Sequence, residues 1–303
     1  MKDVIIIGAG PGGMTAALYA ARANLDVALI EQGLPGGQMN NTDVVENYPG
    51  FVSIRGRELG QKMYENVQAN GIEEINGIVT KVEVEDHVKK VYIGDEVYEA
   101  KTIIIATGAV HRVLSVPGED EFTGRGVSYC AICDGNFFRD KHVLVVGGGD
   151  SALEEGLYLA QLANKVTVIH RRDELRAYKN LQERAFANPK MEFVWDTVVD
   201  EVVGNQLKMT GVKVHNTKTK VESVIEGDGL FIYVGMDPNT EPFRHLGITD
   251  PKGWIVTNDQ MATVLPGVYA IGDVRAKDLR QITTAVAEGT IAATQVFNYL
   301  GVE

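Results

Sequence analysis

The same local pattern occurs twice in this 303-residue chain, and it restricts the fold more than any other feature. In the first copy, the apolar run Val4–Ile7 is typical of a strand buried on both faces. It leads into the glycine-rich turn 8–13 and then into a helical pattern from Met14 to about Asn24. Such a turn lets the backbone approach a pyrophosphate, which then lies at the positive end of the helix. The pattern predicts a dinucleotide-binding unit.

The second copy begins at residue 141. The apolar run 141–146 enters the turn 147–152, and a helical pattern and a second strand follow. Without any gap, Gly147 aligns with Gly8 and Gly149 aligns with Gly10. The repeat predicts a second dinucleotide-binding unit of the same design.

The residue that ends the second strand differs between the copies. In the first copy, strand Val27–Ile30 ends at Glu31, 23 residues after Gly8. A carboxylate at this point suits a free ribose 2′-hydroxyl and repels a 2′-phosphate. The first site is therefore expected to take a dinucleotide without that phosphate.

In the second copy His170 stands at the equivalent place, 23 residues after Gly147, and Arg171, Arg172 and Arg176 follow it. A solvated basic patch at a helix start is common, but three arginines at this point in a chain of net charge −12 favour a phosphate site. The second site is expected to take NADP. The sequence leaves open whether His170 contacts the cofactor or only packs.

The segments after each unit also repeat. Antiparallel segments are expected between Gly77 and Tyr98 and again between Val198 and Ile225, with buried strands at Thr102–Ile105 and at 229–235. After residue 243 the chain returns to the first unit. We expect an α/β fold of two Rossmann-like, three-layer ββα domains, the second (113–242) inserted into the first (1–112 and 243–303).

Three further segments are candidates for cofactor contacts or for a hinge. The loop 32–56 is either a surface connection or a wrap around a large cofactor. Asp273, at the end of the strand that starts at Gly267, is either a turn residue or a ligand of ribityl or phosphate groups. A helix expected from Ile282 to Leu300 has its positive end nearby. The short crossings at 108–110 and 235–238 form a plausible hinge.

The only two cysteines lie two residues apart in Cys130-Ala131-Ile132-Cys133-Asp134. A structural zinc site needs further soft ligands that the sequence does not supply at a matching spacing, so no metal is expected. Two inert cysteines at this spacing by chance are a weaker interpretation, because nucleotide-binding units flank the pair. The sequence favours a redox-active disulfide. Asp134 lies beside the second thiol, where it could pass protons.

The composition indicates the cellular compartment and restricts the classes of partner. With 29 basic and 41 acidic residues, the surface argues against nucleic acid or an anionic membrane as the main partner. No apolar run approaches the ~18 residues of a membrane span. Two cysteines in so long a chain are typical of a reducing compartment. Because the first apolar run breaks at once into glycines, no signal peptide is expected either, and the protein is expected in the cytoplasm.

These motifs together resemble, from end to end, the low-molecular-weight thioredoxin reductases of bacteria. The resemblance rests on 8–11, 36–38, 130–135, 147–152, 170–172 with Arg176, 272–274 and 280–281. It implies FAD in the first domain, NADPH in the second, a homodimer, and a thioredoxin or thioredoxin-like protein as partner. It also implies that Cys133 faces the flavin, Cys130 attacks the partner disulfide and Asp134 is the general acid and base.

The resemblance implies two sets of cofactor-binding residues. Those for FAD are Gly8, Gly10, Pro11, Gly13, Glu31, Gly37, Gln38, Asn47, Val79, Thr107, Gly108, Gly272, Asp273, Arg280, Gln281 and Ile282. Those for NADPH are Gly147, Gly149, Asp150, Ser151, His170, Arg171, Arg172, Arg176 and Gly235.

The sequence leaves other functions open. The reductase of a peroxide-scavenging system shares this core but usually carries an extra N-terminal domain, whereas this chain begins at the first strand. A reductase of a small disulfide, an NADPH oxidase and a non-enzymatic flavin redox sensor are further alternatives. Since the cysteines and the NADPH site lie in one domain and the flavin in the other, we expect the inserted domain to rotate between two working positions.

Overall fold

The computed structural model describes residues 1–42 and 44–301. Its α-helices are α1 (Pro11–Arg22), α2 (Gly56–Ala69), α3 (Glu119–Phe122), α4 (Ala131–Asp134), α5 (Asp150–Leu162), α6 (Lys179–Ala187) and α7 (Ile282–Leu300). Its strands are β1 (Lys2–Ile7), β2 (Val27–Glu31), β3 (Val44–Val45), β4 (Ile54–Arg55), β5 (Glu73–Asn76), β6 (Val79–Val84), β7 (Lys89–Ile93), β8 (Glu96–Ile105), β9 (Ala109–His111), β10 (Val127–Ser128), β11 (His142–Gly147), β12 (Lys165–Ile169), β13 (Met191–Val194), β14 (Thr197–Gly204), β15 (Met209–Asn216), β16 (Glu222–Glu226), β17 (Gly229–Tyr233), β18 (Met236–Pro238) and β19 (Val268–Ala270).

The chain divides into two compact units. The outer unit consists of Met1–Val110 and the segment that begins at Asp237, and the inserted unit is His111–Met236. The two boundaries between the units, after Val110 and after Met236, lie two and six residues before the boundaries expected from the sequence. The difference of six residues has a local cause. Asn239 hydrogen-bonds the backbone of Thr107 and Gly108 and therefore belongs with the outer unit. The connecting strands β9 and β18 pair with each other.

The outer unit is built on a seven-stranded sheet in the order β5-β2-β1-β8-β7-β6, with β19 pairing to β8. Strands β1, β2, β5, β8 and β19 are parallel, so their carboxyl ends share one edge. Alternate residues of β1 enter two cores: Val4 and Ile6 pack on the helix side, and Ile5 and Ile7 pack on the opposite side. Burial on both faces explains the continuous apolar run.

Two sequence expectations for the outer unit need correction. The segment ending at Tyr98 and the strand Thr102–Ile105 are one strand, β8, whose first half pairs antiparallel with β7 and whose second half pairs parallel with β1. The first helix begins at Pro11 and not at Met14, because proline suits the first helical position. It ends at Arg22, since Asn24 adopts φ +59°.

The loop 32–56 also contains more structure than expected. Residues Gly37–Asn41 form a 3₁₀ helix, and β3 and β4 pair antiparallel. Behind the sheet, α1 packs directly on α7. A Cβ atom at Gly289 of α7 would lie 2.5 Å from the carbonyl oxygen of Gly12, so the two backbones touch where side chains are absent.

The inserted unit repeats this design with one difference. Its five-stranded parallel sheet has the order β10-β17-β11-β12-β13, while β14, β15 and β16 form a separate antiparallel sheet. In β11, Val143 and Val145 pack on the helix side, whereas Leu144 and Val146 pack in a core shared with β14 and β15. The unit therefore has three layers. Among residues 1–42 and 44–301, no helix is long and apolar enough to cross a membrane.

Candidate active site

The two cysteines form a disulfide at the carboxyl edge of the inserted sheet. Strand β10 ends at Ser128, and Cys130 then caps the short helix α4, with its Cα 5.3 Å from that of Cys133. Cys130 Sγ accepts a hydrogen bond of 3.2 Å from the backbone N–H of Cys133. This N–H is placed to stabilise a thiolate on Cys130 once the disulfide is reduced.

Asp134 lies directly behind the disulfide. Its Oδ2 accepts a 2.6 Å hydrogen bond from Ser128 Oγ, which also accepts the backbone N–H of Cys130 at 3.1 Å. Burial raises the pKa of the Asp134 carboxyl, although the Ser128 hydrogen bond opposes the shift. A carboxyl group whose pKa is raised keeps its proton to a higher pH than an exposed aspartate does, which suits it to pass protons.

The sequence interpretation missed two side chains at this site. Glu155 of α5 and Tyr233 of β17 both reach the backbone N–H of Ala131, which donates to Glu155 Oε2 at 3.1 Å and to the Tyr233 hydroxyl at 2.8 Å. Burial raises the pKa of both side chains. Glu155 is 24 residues from Ala131 and Tyr233 is 102 residues away. The sequence offered no signal for this contact, because it depends on the tertiary fold.

The first glycine turn is packed too closely for side chains. Gly8 adopts φ +107°, and a Cβ atom there would lie 2.4 Å from the carbonyl oxygen of Ala106. A Cβ atom at Gly13 would lie 1.8 Å from the carbonyl oxygen of Gly8. A Cβ at Gly10, in contrast, would meet no atom within 4 Å. The open space over Gly10 is where a pyrophosphate could approach the turn.

Glu31 is tied to this turn. Its Oε2 accepts the N–H of Ala9 at 2.8 Å, and its Oε1 accepts the N–H groups of Gln32 and Gly33 at 2.8 Å and 3.0 Å. The N–H of Gly36 donates to the carbonyl of Ala9 at 2.8 Å, which brings the loop 32–56 back over the turn. The carboxylate is thus fixed at the end of β2.

The predicted residues from distant parts of the outer unit are linked by side-chain contacts. Gln38 donates to the carbonyl of Ala109 at 3.2 Å, beside Gly108. Asn47 donates to the side chain of Gln281 at 3.1 Å, at the start of α7. Val79 is buried at the start of β6, and no such link ties it to the turn within the described residues.

Asp273 follows β19, and its buried Oδ1 has no hydrogen-bond partner among residues 1–42 and 44–301. Its nearest cation, Lys277 Nζ, is 3.9 Å away. Burial raises the pKa of this carboxyl. Glu288 of α7 accepts the N–H of Gly272 at 2.6 Å and pairs with Lys277 at 3.0 Å, which fixes the backbone on which Asp273 stands.

Arg280 is held in place close to the start of α7. Its guanidinium lies 4.0 Å from the ring centre of Trp254, and its side chain donates to the carbonyl of Asp273 at 3.3 Å and to that of Arg275 at 3.2 Å. A cation and the positive end of α7 thus lie close together in this part of the site.

The second glycine turn is supported by a histidine. His170 is only 5% exposed, and a Cβ atom at Gly148 would lie 2.3 Å from its ring. The N–H of Arg176 donates to the carbonyl of Gly148 at 2.7 Å. Burial lowers the pKa of His170, and its Nε2 has no hydrogen-bond partner within the described ranges. His170 thus packs against the turn.

The three predicted arginines and Asp150 lie on the segments next to this turn. Arg171, Arg172 and Arg176 are exposed, and none forms an ion pair in the part of the chain that the structure describes. Asp150 accepts the N–H of Tyr178 at 2.8 Å, which ties the start of α5 to the arginine segment. An unpaired guanidinium cluster at the end of β12 suits a phosphate group.

Comparison with known proteins gives the family of this chain. A family model described as pyridine nucleotide-disulphide oxidoreductase matches residues 2–289. The chain belongs to this family.

The relatives give a narrower group. Thioredoxin reductases from Listeria monocytogenes and Bacillus subtilis are 54% and 53% identical to this chain over 298 residues. Each alignment covers 98% of this chain, with 93% of the first relative and 94% of the second. The crystal structure of thioredoxin reductase from Streptococcus pyogenes matches with a TM-score of 0.97 at 60% identity, covering 99% of this chain and 98% of that one. The predicted fold class, enzyme class and cofactors, FAD and NADPH, are confirmed.

The residues present fit both cofactors. The two buried side-chain atoms without partners in the described residues, Asp273 Oδ1 and His170 Nε2, fall one in each predicted cofactor site. Buried polar atoms are usually hydrogen-bonded, so an unpartnered one indicates a missing ligand or water. No group of three or more His, Cys, Asp or Glu side chains in the described residues is placed to hold a metal.

Proposed function

We propose that this chain catalyses the NADPH-dependent reduction of a thioredoxin disulfide through FAD and the Cys130–Cys133 pair. The observation that carries the proposal is the Cys130–Cys133 disulfide with the half-buried Asp134 beside it, at the carboxyl edge of the parallel sheet that bears the second nucleotide turn. The relatives and the structural neighbour are thioredoxin reductases, which supports thioredoxin as the acceptor.

The cofactor-binding residues are proposed from the same arrangement. FAD would be held by the turn 8–13, Glu31, the segment 36–38 with Asn47, the segment 106–108, Asp273 and the start of α7. NADPH would be held by the turn 147–151 and by the guanidinium groups of Arg171, Arg172 and Arg176. When bound, FAD supplies two-electron transfer between the nicotinamide and the cysteine pair.

The exchange with the partner follows from the geometry of α4. The Cys130 thiolate, stabilised by the N–H of Cys133, attacks one sulfur of the partner disulfide and forms a mixed disulfide. The other partner sulfur leaves as a thiolate and takes a proton. The Cys133 thiolate then attacks Cys130 Sγ, which re-forms the internal disulfide and releases the second partner thiol.

Asp134 is the proton donor and acceptor in this exchange. Burial favours its neutral form, so it can donate to a leaving thiolate, and the hydroxyl of Ser128 can stabilise the carboxylate that results. The two effects keep both protonation states accessible.

The division into two units implies motion. The cysteine pair and the NADPH turn lie in the inserted unit, whereas the proposed flavin-binding residues lie in the outer unit. Both reacting groups must reach one flavin, so we propose that the inserted unit rotates about the crossings β9 and β18. We also propose, from the resemblance to the family, a cytoplasmic homodimer that binds neither membrane nor nucleic acid.

The acceptor is tested by NADPH oxidation with purified yellow protein, anaerobically for the two disulfide acceptors and in a separate aerobic assay for oxygen. Three acceptors are compared at equal concentration: a thioredoxin, a small disulfide and oxygen. We expect kcat/KM for thioredoxin to exceed that for the small disulfide by at least about 100-fold, because docking uses protein surface. Preference for the small disulfide, or turnover only with oxygen, contradicts the proposal.

A further inference from the structure

The first backbone N–H of helix α4 is held by two side chains from other elements. The donor is Ala131, which is 0% exposed, so its N–H is out of reach of water. The acceptors are Glu155 Oε2 at 3.1 Å and the Tyr233 hydroxyl at 2.8 Å, and Tyr233 in turn donates to Glu155 Oε2 at 3.3 Å. These contacts fix the residue that directly follows Cys130.

The carboxylate at this point has no compensating cation. Within the described residues, no Lys, Arg or His side chain forms an ion pair with Glu155. The titratable groups that act on it are Tyr233 on β17 and its neighbour Glu154 on α5, and Asp134 on α4 acts in turn on Tyr233. All of them are acidic or neutral. Burial raises the pKa of Glu155, while the N–H of Ala131 and the Tyr233 hydroxyl favour the ionised form.

This arrangement affects the cysteines after reduction. The Glu155 carboxylate accepts the N–H of the residue that follows Cys130, so a thiolate on Cys130 and this carboxylate are like charges at adjacent positions of a partly buried site. Such charges disfavour each other, and the ionisation of one makes ionisation of the other harder.

We propose that Glu155, supported by Tyr233, is a positioning residue that anchors the start of α4 and restrains the ionisation of the reduced cysteines. The reduced pair is then kept mainly as thiols until a partner docks. Asp134 has a different role, because it lies on α4 itself and accepts a hydrogen bond from Ser128. The inference rests on the proposed redox role of the cysteine pair.

The test measures thiol ionisation directly and needs no turnover. The holoenzyme is reduced anaerobically with dithiothreitol and desalted, and the rate of alkylation of Cys130 and Cys133 by iodoacetamide is followed by mass spectrometry from pH 5.5 to 9.5. In Glu155→Gln the side chain keeps its shape and an acceptor for Ala131 but loses the charge. We expect the alkylation midpoint to fall by about one pH unit, so that the rate at pH 7 rises by up to about tenfold.

Two further variants make the result specific. Glu154→Gln removes the same charge from an exposed position on the same helix, and we expect its midpoint to match that of the parent. Tyr233→Phe removes one hydroxyl that stabilises the Glu155 carboxylate, and a smaller fall is expected; this variant carries the test if Glu155→Gln does not fold. An unchanged midpoint in both Glu155→Gln and Tyr233→Phe, or an equal fall in Glu154→Gln, overturns the inference. Failure of the proposed function would show instead as turnover that survives loss of the cysteines.

Discussion

The carboxyl group of Asp134 combines burial with a single hydrogen bond from Ser128, and the two have opposite effects on its pKa. Burial is the larger cause, so the folded-state pKa lies above that of the unfolded chain. Below the unfolded pKa both states are protonated and the group costs no stability. As the pH rises through the folded-state pKa, the folded protein must ionise a buried group, and stability is lost.

Asp134→Asn tests this description. We expect kcat with thioredoxin to fall by about 10²- to 10⁴-fold, because the proton donor is removed. We expect the thermal midpoint at pH 7 to rise relative to the parent and the gain to vanish at about pH 3, below the unfolded-state pKa, where the carboxyl is protonated in both the folded and the unfolded chain. Calorimetry at both pH values measures the second effect. Full turnover, or a loss of stability at pH 7, would argue against the proposed role.

The arginine cluster allows a prediction about the preference for NADPH over NADH. Replacing Arg171, Arg172 and Arg176 together with glutamine removes the groups proposed to bind the 2′-phosphate. We expect KM for NADPH to rise by at least about 100-fold and KM for NADH to change little, since even one or two phosphate contacts of about 1.5–3 kcal/mol each account for a loss of that size. Arg184→Gln, in the last turn of α6, is the matched control. Equal losses for both nucleotides would mean that the cluster only stabilises the fold.

Single residues also show how far the sequence could be interpreted. Within each unit, the glycines and the residues that end the strands (Glu31 and Asp273 in the outer unit, the arginines in the inserted unit) follow a known pattern, so their position at the end of a strand could be predicted. Glu155, Tyr233 and Ser128 could not, because their contacts depend on side chains that the tertiary fold brings together. The buried position of His170 was one of two possibilities that spacing alone left open.

At the scale of secondary-structure elements, each glycine turn contains two kinds of glycine. Some are required by the packing of the fold, and others leave space for a ligand. A Cβ at Gly13 would collide with the carbonyl of Gly8, whereas a Cβ at Gly10 would meet no protein atom within 4 Å. The backbone at Gly10 has φ −72°, which any residue can adopt. Gly13 therefore serves the packing of α1 on β1, and Gly10 is free to serve the cofactor.

Two alanine variants distinguish these functions. We expect Gly10→Ala to leave the thermal stability of the apoprotein within about 0.5–1 kcal/mol of the parent while weakening FAD binding at least tenfold. We expect Gly13→Ala to destabilise the apoprotein by about 1–3 kcal/mol, because α1 must shift. FAD titration and thermal melts of the stripped protein measure both. Equal FAD affinity in Gly10→Ala and the parent would place the pyrophosphate elsewhere.

The strands show where local patterns are insufficient. Continuous apolar runs identified β1, β11 and β12 correctly, because burial on both faces leaves a clear pattern. The length of β8 was missed, since its exposed first half and buried second half have different patterns. Its continuity is set by pairing with β7 on one part and β1 on the other, which no local window contains.

At the scale of the whole molecule, the internal repeat predicted two domains, because two copies of one unit cannot share a single core. The return of the chain to the first unit after residue 243 predicted that the second domain is inserted into the first. The exact crossings depended on contacts such as that between Asn239 and Thr107, which the sequence does not signal. The proposed rotation follows from the division of reacting groups between the units.

Restricting this rotation should stop turnover. We expect a lysine-reactive crosslinker that joins peptides of the two units to reduce thioredoxin turnover at least tenfold while bound flavin is retained. The control is the same reagent with one reactive end, which modifies lysines without joining them. Turnover that persists in a fully crosslinked fraction, confirmed by mass spectrometry, would show that no rotation is needed.

The most direct test is anaerobic NADPH oxidation with thioredoxin by the parent, Cys130→Ser and Cys133→Ser proteins, all carrying FAD. The parent should reduce thioredoxin rapidly, and each variant should lose at least about 10³-fold in rate, because the exchange needs both sulfurs. Flavin content should be equal in all three. Thioredoxin reduction that survives in either variant would contradict electron transfer through the Cys130–Cys133 pair.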